Sequence, residues 1–282
     1  MIIHQQSAAS IQQGGFGRRR YARDQNHRRQ DSTRSTEVPE MLLAPTHFDL
    51  WFTAQLADFL GRHPLFDLAV QSAIYHNVLG GFWYAAALFV LWLRGGQAGN
   101  EATRRRMLTI LLGSLIAILL MFVAQALVVW PPPIHHPSVS SLYPRYIYTN
   151  PEGSSFPSQS VTLYASLAAG MYSLHRAAGW FLWAGVVVLV GLPRIYVGGH
   201  YPSDVFGGII LGVAGYATAR YLLESRLAAQ LERVFVGKPW LRVVGEVIVF
   251  AWILQVAIEF REVVWLRNCL RFLLTGHYPK GL

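Results

Sequence analysis

Six apolar stretches, at about 72–93, 107–130, 157–174, 178–193, 203–223 and 241–260, constrain the fold of this 282-residue chain more than any other feature. Each approaches the length that crosses a hydrocarbon core about 30 Å thick. No water is available there to hydrogen-bond an open backbone, so such stretches must be helical. The third and fourth are short, and their ends are expected to run on into a polar site. Composition points the same way. The chain is 53% hydrophobic and 14% charged, against about a quarter charged in soluble domains, and its mean hydropathy is +0.31. Nine Trp and thirteen Tyr suit the membrane–water interface. Residues 48–61, FDLWFTAQLADFLG, carry apolar side chains at helical spacing but are interrupted by Asp49 and Asp58, which predicts a helix lying at the interface. The expected fold is an all-α integral membrane protein, a bundle of about six transmembrane helices with an interfacial amphipathic helix before the first span.

The net charge of +9 would suit a nucleic-acid partner, but its distribution argues against one. Seven arginines (Arg18, Arg19, Arg20, Arg23, Arg28, Arg29 and Arg34) precede Thr36 in a Gln/Arg/Ser-rich tail, which predicts disorder over 1–40. That tail lacks the apolar run of a signal peptide. Two readings stand for it: an arm for anionic lipid, or a true start of translation at Met41. Residues 41–223 are read as the membrane domain, and 224–282 as a cytoplasmic connection, a last span and a basic C-terminal segment. Basic residues in short loops set orientation. Arg94 with Arg104, Arg105 and Arg106, then His175 with Arg176, then Arg226, Arg233, Lys238 and Arg242, mark three connections as cytoplasmic. Loop 131–156 and the segment 194–200 then share the periplasmic or outer face. Glu246, Glu259, Arg261 and Glu262 flank the last span, where charges snorkel to the interface. His76, in the first span, reads as a hydrogen-bonded structural group. Cys269 is the single cysteine, and the chain carries no CxxC, HExxH or nucleotide-loop pattern, so neither metal nor other cofactor is expected.

Chemistry concentrates in Leu192-Pro193-Arg194-Ile195-Tyr196-Val197-Gly198-Gly199-His200-Tyr201-Pro202-Ser203-Asp204. An ionisable trio in such a chain is costly unless its members pair, face water or bind a ligand. Arg194 offers a planar fork to phosphate oxygens. His200 can be neutral and nucleophilic near neutral pH, and the Asp204 carboxylate four residues on can hold its ring in one tautomer. Pro202 suits a first helical turn, which places His200 at a helix entrance that favours an anion.

These residues resemble the type 2 phosphatidic acid phosphatase superfamily of membrane lipid phosphatases, in span order over about 72–223 and in three short motifs. The family's third motif is Ser-Arg, five residues, His, three residues, Asp. Arg194, His200 and Asp204 match it in type and spacing, with Pro193 in place of the serine and Gly199, Tyr201, Pro202, Ser203 and the pair Gly207-Gly208 as flanks. The second motif, Pro-Ser-Gly-His opening a helix, has its counterpart in Pro157-Ser158-Gln159-Ser160, where Ser160 replaces the histidine that protonates the leaving group in the family. The first motif expects a lysine, six residues, then Arg-Pro, often extended to Arg-Pro-Arg-Pro. Val123 would stand for the lysine, and Trp130 and Pro132 for the arginines.

The resemblance implies a lipid phosphatase or phosphotransferase, acting without metal through a phosphohistidine on His200. It makes His200 and Asp204 catalytic, with Arg194, Ser158, Ser160 and Gly199 around the phosphate. His135, His136 and Arg145, in the loop after the proline run, are substitutes for the missing acid and cation, or ordinary polar loop residues. The substrate would be a lipid phosphate or a polyprenyl diphosphate. A diphosphate is favoured because its leaving group needs little acid assistance. The alternative is a catalytically impaired member that binds lipid or a partner protein in the membrane.

Overall fold

The computed structural model describes residues 45–75, 77–95, 101–128, 130–143, 154–223 and 239–258, and every regular element among them is helical. The tail with Met41, His76, Arg145, the connection 224–238 and the segment from Glu259 onward lie outside the described residues. In chain order the helices are α1 (His47–Ala57), α2 (Pro64–Tyr75), α3 (Asn77–Gly95), α4 (Glu101–Leu127), α5 (Gln159–Leu174), α6 (Arg176–Tyr196), α7 (Pro202–Leu223) and α8 (Pro239–Ala257). The first apolar stretch, 72–93, is divided between the end of α2 and α3, and the other five fall on α4 to α8 in turn. Arg105–Leu127 of α4, α6 and α7 are long and apolar enough to cross a membrane, and Gly81–Arg94 and Val244–Ala257 are shorter apolar runs. The protein is an all-α membrane protein.

The short α5 is the axis of the bundle. Every residue from Ser160 to Ala168 is buried, because α4, α6 and α7 pack around it. Lipid tails are as apolar as leucine, so helices in a membrane associate through close backbone approach rather than hydrophobic burial. Glycines on α7 provide it. A Cβ on Gly212 would stand 2.5 Å from the Thr162 carbonyl oxygen of α5, and one on Gly215 would stand 2.6 Å from Ala117 of α4.

Within α6 the backbone widens into a π turn at Val186–Gly191, just before Pro193. Proline in a helix interior lacks its N–H and crowds the carbonyl four residues back. A widened turn relieves that crowding and re-aims the last turn of the helix. Arg194 is carried on that turn.

Of the segment 48–61 the part up to Ala57 is helical, and its faces are reversed from a simple amphipathic reading. Asp49, Thr53 and Ala57, one turn apart, are the buried stripe, while Phe48 and Trp51 are both 58% exposed. The polar stripe faces protein and the aromatic face points outward. Helix α2 is not legible from the apolar pattern, which places the first span from about residue 72. It begins at Pro64 and is tied down by buried Asp67, whose carboxylate accepts from the Tyr196 hydroxyl at 2.5 Å and the Gly61 amide at 2.9 Å.

The bundle is polarised. At one end the C-terminus of α4, the start of α5, the end of α6 and the start of α7 meet: the Ser155 amide donates to the Trp130 carbonyl at 2.7 Å and the Ser158 amide to the Asp204 carbonyl at 3.1 Å. At the other end the Arg105 guanidinium donates to the Leu223 carbonyl at 2.6 Å.

Candidate active site

The turn between α6 and α7 is built around two glycines with different work. Gly198 has φ of +76°, and a Cβ there would lie 2.6 Å from the Tyr143 ring, so only glycine fits. Its carbonyl accepts from the Ile134 amide at 3.0 Å, which fastens the loop carrying His135 and His136 to the turn. Gly199 has ordinary φ and room for a side chain. Its amide and that of His200 both donate to the Arg194 carbonyl, at 3.0 and 3.2 Å. The Gly199 amide is therefore committed to the turn rather than presented to a ligand.

His200 sits at the entrance of α7, partly exposed. Its Nδ1 lies 2.8 Å from the Ser155 carbonyl and 3.6 Å from Oδ2 of Asp204. A carbonyl can only accept, so Nδ1 carries the proton and Nε2 carries the lone pair of the neutral ring. Asp204 stands too far away for a hydrogen bond to the imidazole. The tautomer is thus fixed by the backbone of residue 155, and Asp204 contributes charge at 3.6 Å instead of a direct tie. Its Oδ2 is engaged by the Tyr201 amide at 2.7 Å, a capping contact at the start of α7. Its Oδ1 is buried without a protein partner.

Arg194 is buried and reaches back into the bundle. Its guanidinium donates to the Ser160 hydroxyl at 2.6 Å and to the Val190 carbonyl at 3.3 Å. Ser158 is the N-cap of α5, yet its hydroxyl makes no cap bond and is buried without a protein partner. First-turn amides of a helix have no acceptor within it, and this start lies at the positive end of the dipole.

The start of α7 is different. The Ser203 amide donates to Oδ1 of Asp49 at 2.9 Å, across 154 residues of sequence. With Asp204 on the Tyr201 amide and no N–H on Pro202, two carboxylates occupy this end, and it has no amide to spare for phosphate. That corrects the expectation that Pro202 opens a phosphate-binding helix start. Burial, then the charges of Asp204 and Asp49, push the Tyr201 hydroxyl well above the usual tyrosine range. Burial, with Tyr201 beside it, does the same to Tyr143. Both stay neutral.

The expected first-motif register places Val123 on the outer surface of α4, 57% exposed. Trp130 is buried, its ring 5.9 Å from Tyr201 and 5.7 Å from Phe156. Its carbonyl holds the Ser155 amide, and the Ser155 carbonyl holds His200, so a hydrogen-bonded ladder joins this position to the imidazole. Of the substitutes, His135 is exposed, and the His136 ring meets Tyr201 edge-on at 6.5 Å. The structure thus brings Arg194, Ser160, Ser158, His200 and Asp204 to one end of the bundle, with His136 beside them. Sequence reasoning missed Ser155, Gly198 and Asp49. Ser155 acts through its carbonyl, which no side-chain pattern reveals. For Asp49 the available signal was the Thr46…Asp49 capping box, both halves of which form. Among the described residues, no cluster of three or more His, Cys, Asp or Glu is placed to hold a metal ion.

Residues 106–227, which carry α5, the π turn and the Arg194–Asp204 segment, match the model of the PAP2 superfamily. Over that stretch the chain is similar to the PAP2 superfamily. The chain is 42% identical over 60 residues to the bacitracin transport permease protein BcrC of Bacillus licheniformis, covering 21% of this chain and 29% of the relative. It is 28% identical over 132 residues to the undecaprenyl-diphosphatase BcrC of Bacillus subtilis, covering 46% of this chain and 62% of the relative. It therefore spans less than two thirds of either relative's length. The crystal structure of Aquifex aeolicus LpxE aligns with a TM-score of 0.49 at 21% identity, over 64% of this chain and 99% of that one.

Proposed function

We propose that this protein is a membrane phosphatase or phosphotransferase for a lipid phosphate, most suitably a polyprenyl diphosphate, acting at the outer membrane face through a phosphohistidine on His200. One observation carries the reading. The Ser155 carbonyl holds Nδ1–H of His200, which leaves Nε2 as the nucleophilic atom at the end of the bundle that also carries Arg194 and the start of α5. Likeness to an undecaprenyl-diphosphatase over 132 residues supports the substrate class. Orientation rests on the basic residues flanking the connections, since Arg94, Arg105 and Arg176 all lie near helix ends away from His200.

In this mechanism the Arg194 guanidinium, the Ser158 hydroxyl and the first-turn amides of α5 bind the phosphoryl oxygens. His200 Nε2 attacks phosphorus, an N–P bond forms, and the P–O bond to the leaving group breaks with its electron pair on oxygen. Asp204 stabilises the positive charge on the ring. Water then attacks phosphorus, the N–P bond breaks and inorganic phosphate leaves. Ser160 cannot serve as a general acid near neutral pH. A diphosphate tolerates that, because its departing lipid monophosphate needs little protonation. His135 and His136 are the nearby groups suited to replace the acid, and Arg145 to replace a cation.

The test is phosphate release from undecaprenyl diphosphate, phosphatidic acid and a lipid A phosphate by detergent-purified protein, compared with His200→Ala, Ser160→His and His135→Ala. Release above the His200→Ala background supports the reading, and its absence on every lipid ends it. One observation favours the impaired-member alternative: Ser160 takes up the Arg194 guanidinium at 2.6 Å. Activity gained in Ser160→His would favour that alternative.

A further inference from the structure

We propose that Asp49, on α1, is a positioning residue for His200. Its carboxylate holds the Ser203 amide and so fixes the start of α7 from outside that helix. The kinetic part of this inference rests on the phosphatase reading; its structural part does not.

The argument comes from accounting for amides. From Gly198 to Asp204, the amides of Gly198, Gly199, His200 and Asp204 donate to carbonyls within residues 194–201, and Tyr201 donates to the Asp204 side chain. Pro202 has none. Ser203 alone is answered by a distant element, through Asp49 Oδ1 at 2.9 Å. The turn that aims His200 is otherwise held on its amide side only by itself.

Asp49 is built to stay put. Its Oδ2 accepts from the Thr46 amide at 3.0 Å and the Thr46 hydroxyl at 2.8 Å, and the residue is 1% exposed. A carboxylate so buried is expensive unless every oxygen is engaged, and here both are. It bridges two helix starts: the cap of α1 and the second residue of α7. The aromatic face of α1, with Phe48 and Trp51, points away from this contact, so the helix is anchored by its polar stripe. Loss of Asp49 would free the Ser203 amide and let the 199–203 backbone turn, carrying His200 Nδ1 off the Ser155 carbonyl.

The experiment uses the full chain in detergent micelles, labelled with nitrogen-15 at histidine. Wild type should show a hydrogen-bonded Nδ1–H resonance for His200, assigned by its loss in His200→Ala. It should persist in Thr46→Ala, which weakens the cap of α1 but leaves the Ser203 contact, and vanish or broaden in Asp49→Ala. An unchanged resonance in Asp49→Ala overturns the proposal. If Asp49→Ala does not fold, Asp49→Ser, too short to reach Ser203, replaces it. On undecaprenyl diphosphate, Asp49→Ala should lower kcat about ten- to a hundredfold with KM changed less than about twofold. Asp49→Asn keeps an acceptor for Ser203 and should stay within about fivefold of wild type. A change confined to KM, or to melting temperature with wild-type kcat, overturns the proposal. Should wild type hydrolyse no lipid, the phosphatase reading fails and the resonance alone decides this one.

Discussion

Helices α5 and α7 begin side by side, joined by the Ser158 amide and the Asp204 carbonyl at 3.1 Å, yet their starts are used in opposite ways. At α5 the cap hydroxyl has no partner among the described residues, and the Arg194 guanidinium lies on the hydroxyl of Ser160, the second residue of the helix. At α7 Asp49 and Asp204 each take an amide. A helix start is an anion site only while its N–H groups are free. In the proposed mechanism the start of α5 receives the phosphate, while the closed start of α7 holds the proposed nucleophile still. The lesson is that Pro-led helix starts of similar sequence need not share a function. Which carboxylate reaches them decides.

The division of labour can be broken at several points. The largest effect belongs to the closed start: His200→Ala should cut phosphate release about a thousandfold or more, and residual turnover near wild type would remove the nucleophile from the scheme. Next comes Arg194→Ala, whose lost charge-assisted contacts, about 1.5–3 kcal/mol, should lower kcat/KM about 10- to 150-fold. A loss smaller than that of Ser158→Ala would place phosphate elsewhere. Gly198→Ala should destabilise the protein by about 1–3 kcal/mol in thermal unfolding, since φ is +76° and the Tyr143 ring blocks a Cβ. Gly199→Ala should be far milder, as there is space for it. At the start of α5, Ser158→Ala should raise KM about two- to tenfold without lowering the melting temperature, because its hydroxyl has no protein partner to lose. A lower melting temperature would show that the hydroxyl is structural.

The smallest effect appears only in alkali. The fold raises the Tyr201 hydroxyl, so folding favours its neutral form. That contribution is complete below the unfolded value of about 10 and is lost as pH climbs above it. Wild type should therefore lose melting temperature between about pH 9 and 11 more steeply than Tyr201→Phe. Equal slopes would show that burial and the two carboxylates do not raise this hydroxyl.

Much of this was legible along the chain. The expected stretch 203–223 became Pro202–Leu223, and 157–174 became a helix from Gln159 to Leu174. Length and hydropathy alone set those limits. The placement of His200 ahead of Pro202 came from proline's fixed φ. What escaped were the contacts made by backbone atoms or across long separations. Asp49 read as an interruption in an aromatic helix, because a one-dimensional pattern cannot show that its stripe faces protein. Asp67 and α2 escaped for the same reason. Ser155 is one of many serines until its carbonyl meets an imidazole 45 residues away.

The order of residues by itself determined that this chain would cross a membrane as helices, because a backbone in hydrocarbon must bond to itself and apolar runs of that length have no other stable form. It also set the types and spacing of Arg194, His200 and Asp204. Tertiary packing decided which nitrogen of His200 is free, which helix start is closed and which carboxylate aims the turn. Each of those depends on one atom lying within about 3 Å of another. Only the bundle, drawn tight by glycine against backbone, could bring such atoms together.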